Sequence, residues 1–125
     1  MAITYTNAVK ISRMNAVTTA AGTTAVLEIG TTAMGTVLAT IPLSNPIASS
    51  ATGAGVLTLS GTPLSDTSAD ATGTAAAARI RTATGGTDII TGLTVGTSAS
   101  DINLDSVSIT AGQTVSITSA TLTHA

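Results

Sequence analysis

Few residues in this chain could do chemistry, and their spacing limits what that chemistry could be. His124 is the one histidine and the next-to-last of 125 residues. Chain ends usually fray, so it could activate a serine only if that end were buried. The six carboxylates are Glu28, Asp66, Asp70, Asp88, Asp101 and Asp105. Glycoside cleavage needs two of them facing each other across a bond. The five aspartates lie in or beside turns, where an aspartate bonds its own backbone, and turn duty is the better explanation. Asp66 and Asp70, in SDTSADATG, could offer oxygens to a calcium ion, but the stretch lacks the acidic spacing of an EF-hand loop. Gly92 and Gly96, in TGLTVGT, have neither the lysine nor the following helix of a phosphate loop. Without cysteine there is no thiolate, no disulfide and no Cys-ligated zinc. The expectation is a chain with no catalytic residues, no cofactor, no metal and no small-molecule substrate: not an enzyme.

The cations fall into two pairs. Lys10 and Arg13, three apart, share one face of a helical segment, while Arg79 and Arg81, two apart, project from one face of a strand. All four are candidate partner contacts; for the first pair, a solvated helix face is the competing explanation. Four basic residues against six acidic ones give a net charge of −2, too little positive charge for a nucleic-acid stripe. Tyr5 is the sole aromatic and cannot form a sugar-stacking platform.

These side chains must be positioned mostly by strands. Residues 1–21 lack strand alternation; Thr6 or Asn7 can cap a short helix through Ala8, Ile11, Met14 and Val17, with Gly22 as its stop. From Thr23 the apolar period turns to two. Ala25, Leu27 and Ile29, then Val37, Ala39 and Ile41, predict a hairpin with a wide turn over Gly30–Gly35, and Pro42 marks an edge strand or a strand end. Ser44–Gly55 is predicted as a mobile loop and a contact loop. A strand with Leu57 and Leu59 inward follows, then a second polar loop over Thr62–Gly73. In TAAAARIRTA, four alanines favour helix, whereas the flanking glycines and the alternation of Ala76, Ala78 and Ile80 against Arg79 and Arg81 favour strand, and strand is the reading adopted.

The C-terminal third, 88–123, alternates most clearly: Ile89, Leu93 and Val95; Ile102 and Leu104; Val115 and Ile117. Slips at Asp105-Ser106 and near Ser119-Ala120 predict bulges or a strand changing sheets, and Ala111-Gly112 predicts a turn. The expected fold is mainly all-β, a β-sandwich or jelly-roll-like arrangement of about seven to eight strands behind a short N-terminal helix or arm. The expected division is 1–22 for the arm and 23–125 for the β-domain.

Composition says what kind of object this is. Hydrophobic residues reach 43% but aromatics only 1%, so the core must be built from Val, Leu, Ile and Ala. Charged residues are 8%, against roughly a quarter in ordinary soluble proteins. Thr and Ser must therefore cover the surface, with little charge to hold neighbouring strands apart. A thin core of this kind favours association with copies of itself or with a partner. The opening MAITYTNAVKISRMNA has no apolar core of signal-peptide length, and no run approaches a membrane span; synthesis in the cytosol is expected.

Four stretches carry a resemblance: MAITYTNAVKISRM, VLEIGTTAMGTVLATIPL, SDTSADATGTAAAARIR and GLTVGTSASDINLDSVSITAGQTVSITSATLTHA. Together they resemble small virion proteins of tailed bacteriophages and prophages. That resemblance implies a structural component of the particle. The commonest such role is a capsid decoration, or cement, protein that binds the expanded head as a dimer or trimer and staples neighbouring subunits. The implied partners are copies of itself and the major capsid protein, with no nucleic acid and no membrane. The implied location is the virion, after synthesis in the bacterial host cytoplasm. A neck, tail or fibre-base component is the alternative. A receptor- or carbohydrate-binding β-domain is a further one, which the missing aromatics disfavour.

Overall fold

A computed structural model describes residues 3–48, 51–53, 55–61 and 64–123. The chain opens with helix α1 (Asn7–Ala21). The Thr6 side chain accepts from the Val9 N–H at 3.4 Å, and Gly22 closes the last turn, its N–H on the Thr18 carbonyl. The sequence offered Thr6 or Asn7 for the first cap and Gly22 for the stop, and the first cap is Thr6. Met14 and Ala21 are buried and Ile11 and Val17 pack against the same core, so the helix is a wall of the molecule as well as an arm.

Strands β1 (Val26–Gly30) and β2 (Val37–Pro42) form the expected hairpin, joined by a 3₁₀ turn at Thr32–Met34, and Pro42 is the last residue of its strand. The turn folds back over β1. A Cβ on Gly30 would come within 2.7 Å of the Thr36 carbonyl oxygen and 2.9 Å of the Met34 methyl, so only glycine fits there. Strand β1 is paired on both edges, by β2 and by 77–81, and is buried along its whole length.

The remaining strands are β3 (Val56–Thr58), β4 (Leu64–Asp66), β5 (Gly73–Thr74), β6 (Ala77–Arg81), β7 (Asp88–Gly96), β8 (Ile102–Leu104), β9 (Ser108–Ile109) and β10 (Val115–Thr123). The main sheet runs β2-β1-β6-β7-β8-β10-β3, with β4 also paired to β10, and β5-β9 form a separate ribbon. Pairing is antiparallel except between β7 and β8. Leu57 pairs with Leu122 and Ser65 with Ser116, so β3 and β4 follow each other along one edge of β10.

The sheet curls until β2 meets the end of β4 and the segment after it. There the Thr40 N–H donates to Asp66 Oδ2 at 3.1 Å, and the Asp70 N–H donates to the Leu38 carbonyl at 2.7 Å. An otherwise open edge is thereby covered. The mainly β, sandwich-like architecture behind a short helix matches the expectation from the sequence.

Three local expectations need correction. The polar loop at Thr62–Gly73 contains strand β4 and closes the sheet; positions 62 and 63 lie outside the described residues. The small-residue loop at 44–55 sends Ile47, Ala48 and Ala51 into the core, and Asn15 Oδ1 accepts from the Ala51 N–H at 2.7 Å. Finally, Ile90 pairs with Ile80 and Leu93 with Ala78, both buried partners. Core-face parity therefore slips between Ile90 and Leu93, so Ile90, which the alternation left out, joins the inward row beside the half-buried Ile89. Gly92, at φ 74°, supplies the left-handed residue that such a slip requires. The slip predicted near Ser119-Ala120 is present: in β10 the buried residues are Val115 and Ile117, then Ala120 and Leu122, across a register shift between Ile117 and Ser119.

Candidate functional site

Charge is concentrated on the outer face of β1, β6 and β7. Glu28 sits mid-strand in β1, directly across from Arg79 on β6, and Arg81 pairs with Val26 one step along the same face. The register thus points two guanidiniums at one carboxylate. Arg79 Nε donates to Glu28 Oε1 at 2.6 Å, and Arg81 Nη1 lies 3.6 Å from the same oxygen. Arg81 Nη2 also donates to the Gly86 carbonyl at 2.5 Å. Its Nε stands 3.0 Å from Asp88 Oδ1, close enough to attract but not aligned as a hydrogen bond. Only 6% of the Glu28 side chain is exposed, while the arginines keep about a fifth of theirs in water. A buried carboxylate is tolerable only with such partners.

This cluster holds strands together. Each carboxylate in it faces an arginine. The sequence showed the spacing of Arg79 and Arg81 but not their partner. The available signal was Glu28 itself, the only acidic residue inside a strand whose neighbours alternate so regularly.

A second polar group lies at the sheet closure. Asp66 Oδ1 accepts from Ser68 N–H at 2.9 Å, the turn duty expected of it, while Oδ2 takes the β2 backbone. Asp70 Oδ2 accepts from the Thr40 hydroxyl at 3.2 Å. Asp101 and Thr94 exchange two bonds: Asp101 Oδ2 accepts from the Thr94 N–H, and Thr94 Oγ1 accepts from the Asp101 N–H. Among the described residues, no three His, Cys, Asp or Glu side chains gather as a metal site. His124 lies outside the described residues.

The other basic pair is placed differently. Arg13 is exposed and Lys10 half-buried on α1, and neither joins an ion pair among the described residues. The Arg13 guanidinium lies over the Tyr5 ring, 4.4 Å from its centre, a contact of modest strength at the surface. Ahead of the helix, Ile3 is 84% exposed, and Val9 on the first turns is exposed as well. The sequence had no signal for this, because an exposed isoleucine becomes notable only once the rest of the core is seen to close without it.

Between α1 and the sheet lies an apolar pocket of about 340 Å³. It is lined by Met14 and Val17 of α1, Ile90 and Leu93 of β7, Asp101, and Leu122 and Thr123 of β10. Its volume is at the lower end of those that hold small molecules. One charged side chain, Asp101, stands among the apolar ones. The chain matches no family model, no curated protein and no solved structure.

Proposed function

We propose that this chain is a structural component of a tailed-phage particle, and that its specific role is capsid decoration: binding between capsid subunits and stabilising the head. The observation that carries this reading is where the charged groups go. Charged residues are only 8% of the chain, and those on the sheet brace strands against one another or cap turns, which leaves Lys10 and Arg13 on the helix as the exception. Such a charge-poor surface suits a protein that lies among other proteins, where weak contacts are multiplied by symmetry. The resemblance of four stretches to small virion proteins supports the same reading, as does an exposed apolar residue, Ile3, at the arm.

In this role the protein works by burial and needs no catalytic group or cofactor. Its partners are further copies of itself and the major capsid protein, and its location is the virion. The test is to mix the purified chain with expanded capsids of the phage or prophage that encodes it. Expected are saturable binding in proportion to lattice sites and a higher melting temperature of the shell. Binding to necks or tails instead would move the protein to the alternative position in the particle. Absence from purified particles, with no binding to any part of them, would sink the reading.

A further inference from the structure

We propose that copies of this chain join by arm exchange: the arm ahead of α1, led by Ile3, seats in the apolar pocket between α1 and the sheet of a neighbouring copy. The inference deepens the particle reading by naming a partner and a surface, and it rests on that reading only for its biological purpose.

Two complementary features on one chain carry it. The first is Ile3, 84% exposed, an aliphatic side chain outside a core made of the same residue types. The second is the pocket of about 340 Å³, walled by Met14, Val17, Ile90, Leu93 and Leu122. An apolar cavity of roughly 150 Å³ already takes a benzene-sized guest, so this one has room for an isoleucine and part of its neighbours. An exposed apolar knob and a matching pocket elsewhere on the same molecule generate contacts between copies.

Charge agrees with this pairing. Lys10 and Arg13 follow the arm and join no ion pair among the described residues, whereas Asp101 stands in the pocket wall. Seating the arm of one copy in the next brings these opposite charges toward each other and supplies orientation.

Among the described residues, none of the arm (3–6) lines its own pocket. It enters α1 through Thr6 in an extended conformation (φ −67°, ψ 159°), and Met14 lies about 12 Å further along the helix axis. A neighbour's pocket can be entered without reversing the chain at Thr6. Mutual exchange gives a closed dimer; head-to-tail exchange gives a ring.

The experiment is light scattering during size exclusion across a concentration series. It uses the full chain, Ile3→Asp, Val17→Trp, and a mixture of the two variants. Ile3→Asp changes an exposed residue and leaves the fold alone; Val17→Trp fills the pocket from its wall. The wild type is expected to be a dimer or higher oligomer, and each variant to dissociate at a concentration at least about tenfold higher than the wild type. The mixture should form a heterodimer where each variant alone is monomeric, because one intact arm then meets one intact pocket.

A wild type that stays monomeric at every concentration overturns the proposal. So does an Ile3→Asp chain as oligomeric as the wild type, or a small apolar molecule found by native mass spectrometry in the pocket of a monomer. Loss of arm exchange with capsid binding retained would leave the particle reading standing. Confirmed exchange in a chain that binds no part of a particle would do the reverse.

Discussion

The two basic pairs look alike in the sequence and live in opposite surroundings. Arg79 and Arg81 sit on a central strand, across from a carboxylate that has almost no access to water. Lys10 and Arg13 sit on the outer side of a helix, with an aromatic ring beneath one of them and no acid beside either among the described residues. The difference lies in the neighbours. A strand fixes what stands opposite each residue at about 5 Å, so a charge there must be answered within the chain. A helix at the rim leaves its outer face to water or to a partner. In this protein the strand pair is spent on ion pairs within the sheet, and the helix pair joins none among the described residues.

The sharpest way to break that contrast is to remove Glu28. Glu28→Ala leaves two partly buried guanidiniums side by side without their shared carboxylate, and should cost about 2–4 kcal/mol. The lower end reflects the share of each arginine still in water. In thermal unfolding this is a fall of roughly 5–15 °C. Replacing both partners, as Glu28→Met with Arg79→Met, should recover part of the loss, with a coupling of about 1–3 kcal/mol in a double-mutant cycle. Additive effects would mean the pair does not act as a unit.

A smaller effect is expected where the helix is tied to the 44–55 loop. Asn15→Ala removes the acceptor for the Ala51 N–H and should cost about 1–2 kcal/mol in denaturant unfolding. An unchanged midpoint would show that the buried side chains of Ile47, Ala48 and Ala51 hold the loop without it. The smallest effect on folding belongs to the helix pair. Lys10→Ala and Arg13→Ala should each change the stability of the dilute chain by no more than about 0.5 kcal/mol. If either approached the effect of Glu28→Ala, the contrast between the two pairs would collapse.

Much of this architecture was legible in the chain. Thr6 and Gly22 bound the helix because one offers a side-chain oxygen to free N–H groups and the other ends the turn. Alternation placed Leu27, Ile29, Ile80, Ile102, Leu104 and Ile117 on the core face. It missed Ile90 because a bulge at Gly92 shifts the parity of β7, and a glycine inside an alternating run does not announce which side it shifts. The loops were misjudged for a related reason. Small polar composition describes Thr62–Gly73 and Ser44–Gly55 correctly, but β4 exists only because β10 lies beside it, and Ile47 is buried only because the curled sheet leaves a place for it.

The sequence by itself determined the secondary structure class, the helix and its ends, the aliphatic make-up of the core and the scarcity of charge. All of these follow from local propensity and from a period of two. Which charge meets which was decided by the tertiary structure alone. Register brings residues 28 and 79 together, closure of the sheet brings residues 40, 66 and 70 together, and docking of α1 leaves Ile3 outside while opening a pocket beside Met14. Contacts between positions distant in the chain depend on where the backbone returns, and no short stretch of sequence carries that information.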